Sequence, residues 1–389
     1  MTPPHTPHTL AVLGLGRMGA ALASRLAAQG WDVVGWTRSG RASAALTVTG
    51  DPGAAVAKAD LVLLSLFDGA ACRQVLDAVR GSLRTDTVVL NTSTIAPAEA
   101  ARLARRIGPS YVHAPVLGSV PAATAGTLRI LAATGQDTLD RVRPVLEALG
   151  TVRRVDDAST AAALKLVANH SLAGAVLAVR DSLRQADALG LPRAEVLDVL
   201  ELGQPGGLVA RKRPFLTDPP SAGAAEFTLG ALAKDMALLA AASNTPLRGA
   251  AGLGDTPAGP EADIAVAATV PGVEDAVLEP LHAYVRGHAT GDPAHFRDAF
   301  LPTAHIEGVR EGAFVSWRLD EYCALFTGRP AADEPARSRR VDAVDVHGTV
   351  ATATMTLSHG ADTFTDLFLL ARAGDGCWRI ANKAYHRHS

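Results

Sequence analysis

Residues 9–19 read TLAVLGLGRMG, an apolar run that ends in Gly14-Leu15-Gly16-Arg17-Met18-Gly19 and passes straight into ALASRLAAQG. The run has the composition of a buried strand, and the text after it repeats apolar residues at helical spacing. A G-x-G-x-x-G between strand and helix asks for a tight turn at Gly14, close backbone approach at Gly16 and close helix packing at Gly19. A glycine turn that grips no ligand is the competing reading, so the surrounding pattern has to decide.

Working outward, WDVVGW, ADLVLLSLF, TVVLNT, YVHAPV and LRILAATG read as further strands up to about residue 155, separated by helical pieces such as ACRQVLDAVRGSL and PAEAARLARRI. That alternation predicts a doubly wound parallel sheet, with a mixed edge near residues 111–134. In that setting the glycines sit at the first crossover, where backbone N–H groups and the helix N-terminus cradle a pyrophosphate. At the end of the second strand, Trp36-Thr37-Arg38-Ser39-Gly40-Arg41 holds no carboxylate for ribose hydroxyls. Arg38, Ser39 and Arg41 offer donors for a 2′-phosphate instead, which favours NADPH over NADH; solvated loop charges are the alternative.

From about residue 157 to 245 no strand pattern appears, and DASTAAALKLVANHSLAGAVLAVRDSLRQADALG predicts one long helix buried nearly all round. NTPLRGAAGLGDTPAGPEADIAVAATVPG is rich in Gly, Pro and Ala and reads as a linker or a shortened element. Beyond it, two helical pieces precede alternating runs, SRRVDAVDVHG, TVATATMTLSHG, DTFTDLFLLARAG and CWRIANKAYHRH, which predict a curled antiparallel sheet.

The 389 residues favour more than one domain, and 37 Lys+Arg against 39 Asp+Glu leave a formal charge of −2. No global basic field draws the chain to nucleic acid or an anionic membrane. Cys72, Cys323 and Cys377 lie far apart, and the 12 histidines form no H-E-x-x-H, so neither a disulfide framework nor a metal is expected. The N-terminus lacks a basic signal-peptide region, no uninterrupted apolar stretch of about 18 residues is seen, and the expected compartment is the cytoplasm.

GLGRMG, NTSTIAP at 91–97, APVLGSVPAATAGTL at 114–128, KLVAN at 165–169 and KD at 234–235 together resemble the β-hydroxyacid dehydrogenase family, in matching order over about the first 245 residues. The resemblance implies hydride transfer between a nicotinamide and an alcohol or carbonyl carbon. It implies Lys165 as general acid or base with Asn169 on the same helix face, against the alternative of a lysine snorkelling from an amphipathic helix. It further implies substrate contacts from Ser93, Thr94, Leu117, Gly118 and Ser119. Cofactor contacts are implied for Gly14, Leu15, Gly16, Arg17, Met18, Gly19, Thr37, Arg38, Ser39, Leu66, Phe67, Thr94 and Lys234. Leu117 departs from the family's P-V-S-G-G pattern and cannot bond a carboxylate, which opens a more apolar substrate or an imine, as in the related imine reductases.

Residues 274–389 are similar to the nuclear-transport-factor-like and ketosteroid-isomerase-like superfamily, including its lumazine-binding-like members. The expected organisation is therefore an α/β Rossmann domain (1–156), an all-α domain (157–248), a linker or truncated helical element (249–273) and an α+β cone-shaped barrel (274–389). Its candidate cone residues are His305, Trp317, Tyr322, Asp366, Tyr385 and His386. The expected partners are a small-molecule substrate and a second copy of the chain in a homodimer or higher homo-oligomer, with no nucleic acid or membrane. A dinucleotide-binding sensor without turnover stands as the rival function.

Overall fold

The computed structural model describes residues 9–38, 46–218, 224–245, 247, 258–269, 273–310, 312–360 and 362–388. They form two units, one from the described residues up to 247 with 260–268, the other from the described residues 258–259, 269 and 273–388.

In the first unit nine strands share one sheet: β1 (Thr9–Leu13), β2 (Asp32–Trp36), β3 (Thr47–Thr49), β4 (Leu61–Leu64), β5 (Val88–Asn91), β6 (Tyr111–His113), β7 (Val116–Leu117), β8 (Leu128–Ala133) and β9 (Gly150–Val155). Their order is β3-β2-β1-β4-β5-β6-β8-β7, with β9 also on β8. All pairs from β3 through β6 are parallel, whereas β8 runs antiparallel to β6 and β7. The mixed edge is thus present where the sequence placed it. β3 and β9 were not anticipated, because TVT is short and GTVRRV carries exposed arginines at an edge.

Period two explains the layering. Leu10 and Val12 of β1 enter one apolar cluster while Ala11 and Leu13 enter the cluster on the opposite face. β4 (LVLL) and β5 (VVLN) are buried throughout, because helices cover both faces. Those helices are α1 (Arg17–Ala28), α2 (Pro52–Val56), α3 (Gly69–Val79), α4 (Pro97–Ile107), α5 (Val120–Ala125) and α6 (Gln136–Leu149). Gly19, Leu22, Ala23 and Leu26 form the buried stripe that docks α1.

Then come α7 (Ala158–Ala188), α8 (Arg193–Leu202), α9 (Gly206–Thr217) and α10 (Leu229–Ser243). Asp157 caps α7 by accepting the Thr160 N–H at 3.0 Å. α7 is not buried all round as expected. Ala162, Leu166, Asn169 and Ala173 are covered, but Leu164 and Val167 are 42% and 55% exposed. By length and composition α7 could cross a bilayer, yet its covered stripe packs on α4, α10 and the 3₁₀ turn Ile264–Ala268.

The second unit comprises α11 (Val273–Thr290), α12 (Ala294–Ala299), β10 (Phe300–Arg310), β11 (Ala313–Arg318), α13 (Leu319–Cys323), β12 (Ser338–His347), β13 (Val350–His359), β14 (Asp362–Arg372) and β15 (Trp378–His388). The sheet order is β11-β10-β15-β14-β13-β12. One pair corrects the antiparallel expectation: β10 lies parallel to β15. No hairpin joins those two strands, so chain connectivity does not force them to be antiparallel. Register shifts at Val341/Ala343 and Leu369/Leu370 mark bulges, which bend strands. Val277, Leu281 and Tyr284 of α11 pack with Met355, Phe368 and Ile380 of the sheet in a separate core.

Candidate active site

The glycine turn shows why its residue types are required. Gly14 has φ +103° and donates its N–H to the Trp36 carbonyl at 2.9 Å; a Cβ there would stand 2.3 Å from the Ser65 carbonyl oxygen. A Cβ on Gly19 would lie 1.8 Å from the Gly14 carbonyl oxygen. At Gly16 a Cβ would meet nothing within 4 Å. Packing therefore demands two of the glycines, while the third keeps open the approach to the α1 N-terminus. That end has no side-chain cap and no acid in its first turn, which suits a bound anion. These residues fit a dinucleotide pyrophosphate.

Leu15 and Met18 turn inward against the core, while Arg17 is exposed and pairs with Glu261 at 3.1 Å. Thr37 and exposed Arg38 follow β2; Ser39 and Arg41 lie outside the described residues.

The loops after β4 and β5 are fastened together at the sheet's carboxyl edge. Leu66 donates its N–H to Ser93 Oγ at 2.9 Å, and the Ser93 N–H reaches Asn91 Oδ1 at 2.9 Å. Ser93 is buried, while Thr94 is half-buried and Phe67 exposed. Lys234 on α10 donates to the carbonyls of Phe67 (2.8 Å) and Thr94 (3.0 Å), pairs with Asp235 Oδ1 (2.8 Å), and stands 5.1 Å from the Phe67 ring centre. Its ammonium works as a clamp on both loops.

Lys165 is only 8% exposed, so the snorkelling alternative fails. Its ammonium donates to Asn169 Oδ1 at 3.0 Å, and Asn169 Nδ2 donates to Asp235 Oδ2 at 2.6 Å. An amide oxygen facing an ammonium and an amide nitrogen facing a carboxylate fix the orientation of Asn169. Burial pushes the Lys165 pKa down to about 8; Asp235 opposes that shift and Lys234 adds to it. The amide thus serves to orient the ammonium. Asp235, the hub of the line, is invisible to local spacing because it lies 66 residues from Asn169.

Leu117 is half-buried and Gly118 exposed, while Ser119 Oγ donates to Glu226 Oε2 at 3.4 Å. Behind them buried Lys212 pairs with Glu226 and Asp263, each at 2.8 Å. Asp263 also accepts the N–H groups of Glu226 (2.9 Å) and Ala265 (3.0 Å). Sequence reasoning missed this cluster. Its available signal was Lys212 itself, one of five lysines among 37 basic Lys+Arg residues. Also missed was His113, which burial pushes to about 3 and therefore keeps neutral.

In the second unit Trp317, Tyr322, Asp366 and Tyr385 line one cavity. His305 and His386 are not among its lining residues. His305 bonds Ser316 at 3.1 Å instead, and His386 is an exposed residue of β15. Strand alternation sends them away from the Tyr385 face.

Comparison with known proteins accords with this division. Residues 9–162 match the family described as the NAD binding domain of 6-phosphogluconate dehydrogenase, and residues 273–386 match the putative lumazine-binding family. The probable 3-hydroxyisobutyrate dehydrogenase of Mycobacterium tuberculosis is 33% identical over 201 residues, 49% of this chain and 68% of that protein. The NAD-dependent L-serine dehydrogenase of Pseudomonas aeruginosa is 27% identical over 265 residues, 61% of this chain and 88% of that one. The solved structure of the Mycobacterium tuberculosis 3-hydroxyisobutyrate dehydrogenase with L-serine superposes with a TM-score of 0.58 at 26% identity, over 68% of this chain and 99% of that one.

The turn geometry separates packing from binding. Gly19→Ala is expected to cost about 1–3 kcal/mol or more in a urea melt. Gly16→Ala should stay within about 0.5 kcal/mol of wild type and weaken dinucleotide binding in a fluorescence titration. Equal stability losses in the two variants would contradict the assignment.

Proposed function

The chain belongs to the β-hydroxyacid dehydrogenase family, and from that premise we propose that it reduces a carbonyl compound with NADPH, Lys165 supplying the proton. One observation carries this reading: the line from buried Lys165, Asn169 and Asp235 to half-buried Lys234 ends on the carbonyls of Phe67 and Thr94. Those carbonyls belong to the loops at the strands' carboxyl ends, where ligands of open α/β sheets lie. The nicotinamide, when bound, supplies the hydride.

Lys165 then has two tasks. As an ammonium it donates to the carbonyl oxygen and, as negative charge develops there, gives up a proton. As an amine, in the reverse direction, it takes the alcohol proton. A pKa of about 8 suits both, and Asn169 fixes where the ammonium points. Ser93 shapes the loop through Leu66, leaving Thr94 as the residue of that loop that meets ring and substrate.

Arg38, with Thr37 and Ser39, is the expected partner of the 2′-phosphate, since no carboxylate follows β2. On the substrate side, Leu117 presents methyl groups and the Ser119 hydroxyl is already turned to the Glu226 carboxylate. A substrate carboxylate would meet Glu226 there. An apolar aldehyde or ketone therefore suits this wall better than a ketoacid. Exposed Leu164 and Val167 on α7, with Leu189, Leu191 and Leu202 nearby in sequence, suit cover by a second copy in a homodimer.

Reduction should need the Lys165 ammonium, so its kcat/KM is expected to fall as pH rises through about 8, while alcohol oxidation rises through the same region. Lys165→Met should lose about 10²–10⁴-fold in kcat with cofactor binding kept; retained turnover would refute the role. Arg38→Ala is expected to weaken NADPH about tenfold and leave NADH unchanged, and parallel losses for both would remove the 2′-phosphate assignment. Sedimentation equilibrium should return a dimer that Val167→Glu dissociates; a monomer at micromolar concentration would exclude it.

A further inference from the structure

The chain meets most of its need for positive charge with arginine; five lysines stand among 37 Lys+Arg. Lys58 is exposed. Lys165 and Lys234 belong to the line described above, and Lys212 holds Glu226 and Asp263. The fifth is Lys383. It sits on β15 in the second unit and is 5% exposed.

Lys383 lines a cavity of about 400 Å³. Its ammonium donates to Tyr284 Oη at 2.6 Å and pairs with Asp366 Oδ2 at 2.9 Å, while Tyr284 donates to the same Asp366 oxygen at 2.7 Å. Three groups from α11, β14 and β15 thus close a triangle on the cavity wall, with Asp366 1% and Tyr284 0% exposed. Around it the wall is aromatic. The Lys383 ammonium lies 4.9, 5.7 and 5.4 Å from the ring centres of Tyr284, Tyr322 and Tyr385, and Trp317 stacks on Tyr385 with planes 10° apart. Arg310 and Arg387, both exposed, line the same cavity.

A buried ion pair contributes little to stability compared with apolar residues of similar volume, so the triangle is not explained by holding the cone together. An arginine could have paired with Asp366, but a guanidinium cannot shed its proton in a protein and an ammonium can. Desolvation pushes the Lys383 pKa down, and Asp366 opposes the shift.

We propose that Lys383 is a nucleophilic amine that forms a reversible imine with a planar aromatic aldehyde or ketone bound in this cone. Lys383 first passes a proton to Asp366, freeing the lone pair on Nζ. That pair adds to the carbonyl carbon, forming a C–N bond while the carbonyl π electrons move to oxygen. Tyr284 gives its proton to that oxygen and recovers one from the nitrogen, leaving a neutral carbinolamine. Asp366 then returns its proton to the carbinolamine hydroxyl, water departs, and the nitrogen lone pair closes the protonated C=N bond. The sum is ammonium plus carbonyl giving iminium plus water, with Asp366 and Tyr284 restored and no outside oxidant or reductant consumed. Aromatic rings on the cone wall suit a flat substrate, and the arginines suit an anionic substituent at its outer end.

The test uses the full-length protein free of dinucleotide, with 6-methoxy-2-naphthaldehyde as probe and cyanoborohydride to trap the imine as a stable amine for peptide mapping. Trapping at Lys383 is expected to exceed that at exposed Lys58 in the same sample. Asp366→Asn and Tyr284→Phe should each slow it about a hundredfold without changing Lys58. The wild-type ratio needs no variant to fold, and the unchanged Lys58 rate together with a wild-type far-ultraviolet dichroism spectrum guards the variants. Labelling of Lys383 no faster than Lys58, or at an undiminished rate in both folded variants, overturns the proposal.

Discussion

Two lysines and one carboxylate share a hydrogen-bonded line in the first unit, and the rest of the site follows from how that charge is arranged. Asp235 faces Lys234 through Oδ1 and Asn169 through Oδ2, and Asn169 hands the interaction on to Lys165. With one anion between two cations, the ammonium joined only through an amide is the one whose charge is least compensated. Burial pushes its pKa down to about 8. Lys234 donates to two carbonyls and pairs with the carboxylate. The same line ties α7 and α10 to the loops after β4 and β5, so the proton-carrying group and the crevice loops are positioned by one set of bonds.

The second unit repeats the physical device with different parts. Lys383, Asp366 and Tyr284 are mutually bonded in an apolar surround, and their burial is nearly complete. In both units a desolvated lysine is linked to a carboxylate, directly at Lys383 and through the Asn169 amide at Lys165, and in both its pKa is driven down by burial. A chain that otherwise prefers arginine keeps lysine at such positions, which fits a need for a cation that can become a neutral amine. The Lys212 cluster marks the contrast: one ammonium there is matched by two carboxylates and a ring of backbone donors, an arrangement that holds structure.

Much of the fold was legible because it rests on short-range pattern. The short apolar runs became β1, β2, β4, β5 and β8, the glycine turn fell between β1 and α1, and the mixed edge lay near residues 111–134. Lys165 and Asn169 were readable as a pair because four residues apart on a helix is a single face. Two expectations failed for one shared reason. α7 leaves Leu164 and Val167 exposed, and β10 pairs parallel with β15. Composition reports how apolar a segment is, but neither which face is covered nor which distant strand arrives beside it.

Local pattern in the chain suffices for the strand-turn-helix at residues 9–28, the doubly wound layer built on it, the change of composition before the cone, and the residue types able to grip a dinucleotide. Each depends on neighbours within a few residues, where backbone sterics and side-chain period act directly. Long-range packing is what lets Asp235 orient Asn169 from 66 residues away, brings Lys383 to Tyr284 across 99, and sets Glu226 against the Ser119 hydroxyl. Desolvation and charge pairing depend on what packing brings within hydrogen-bond reach, and no local rule carries that information.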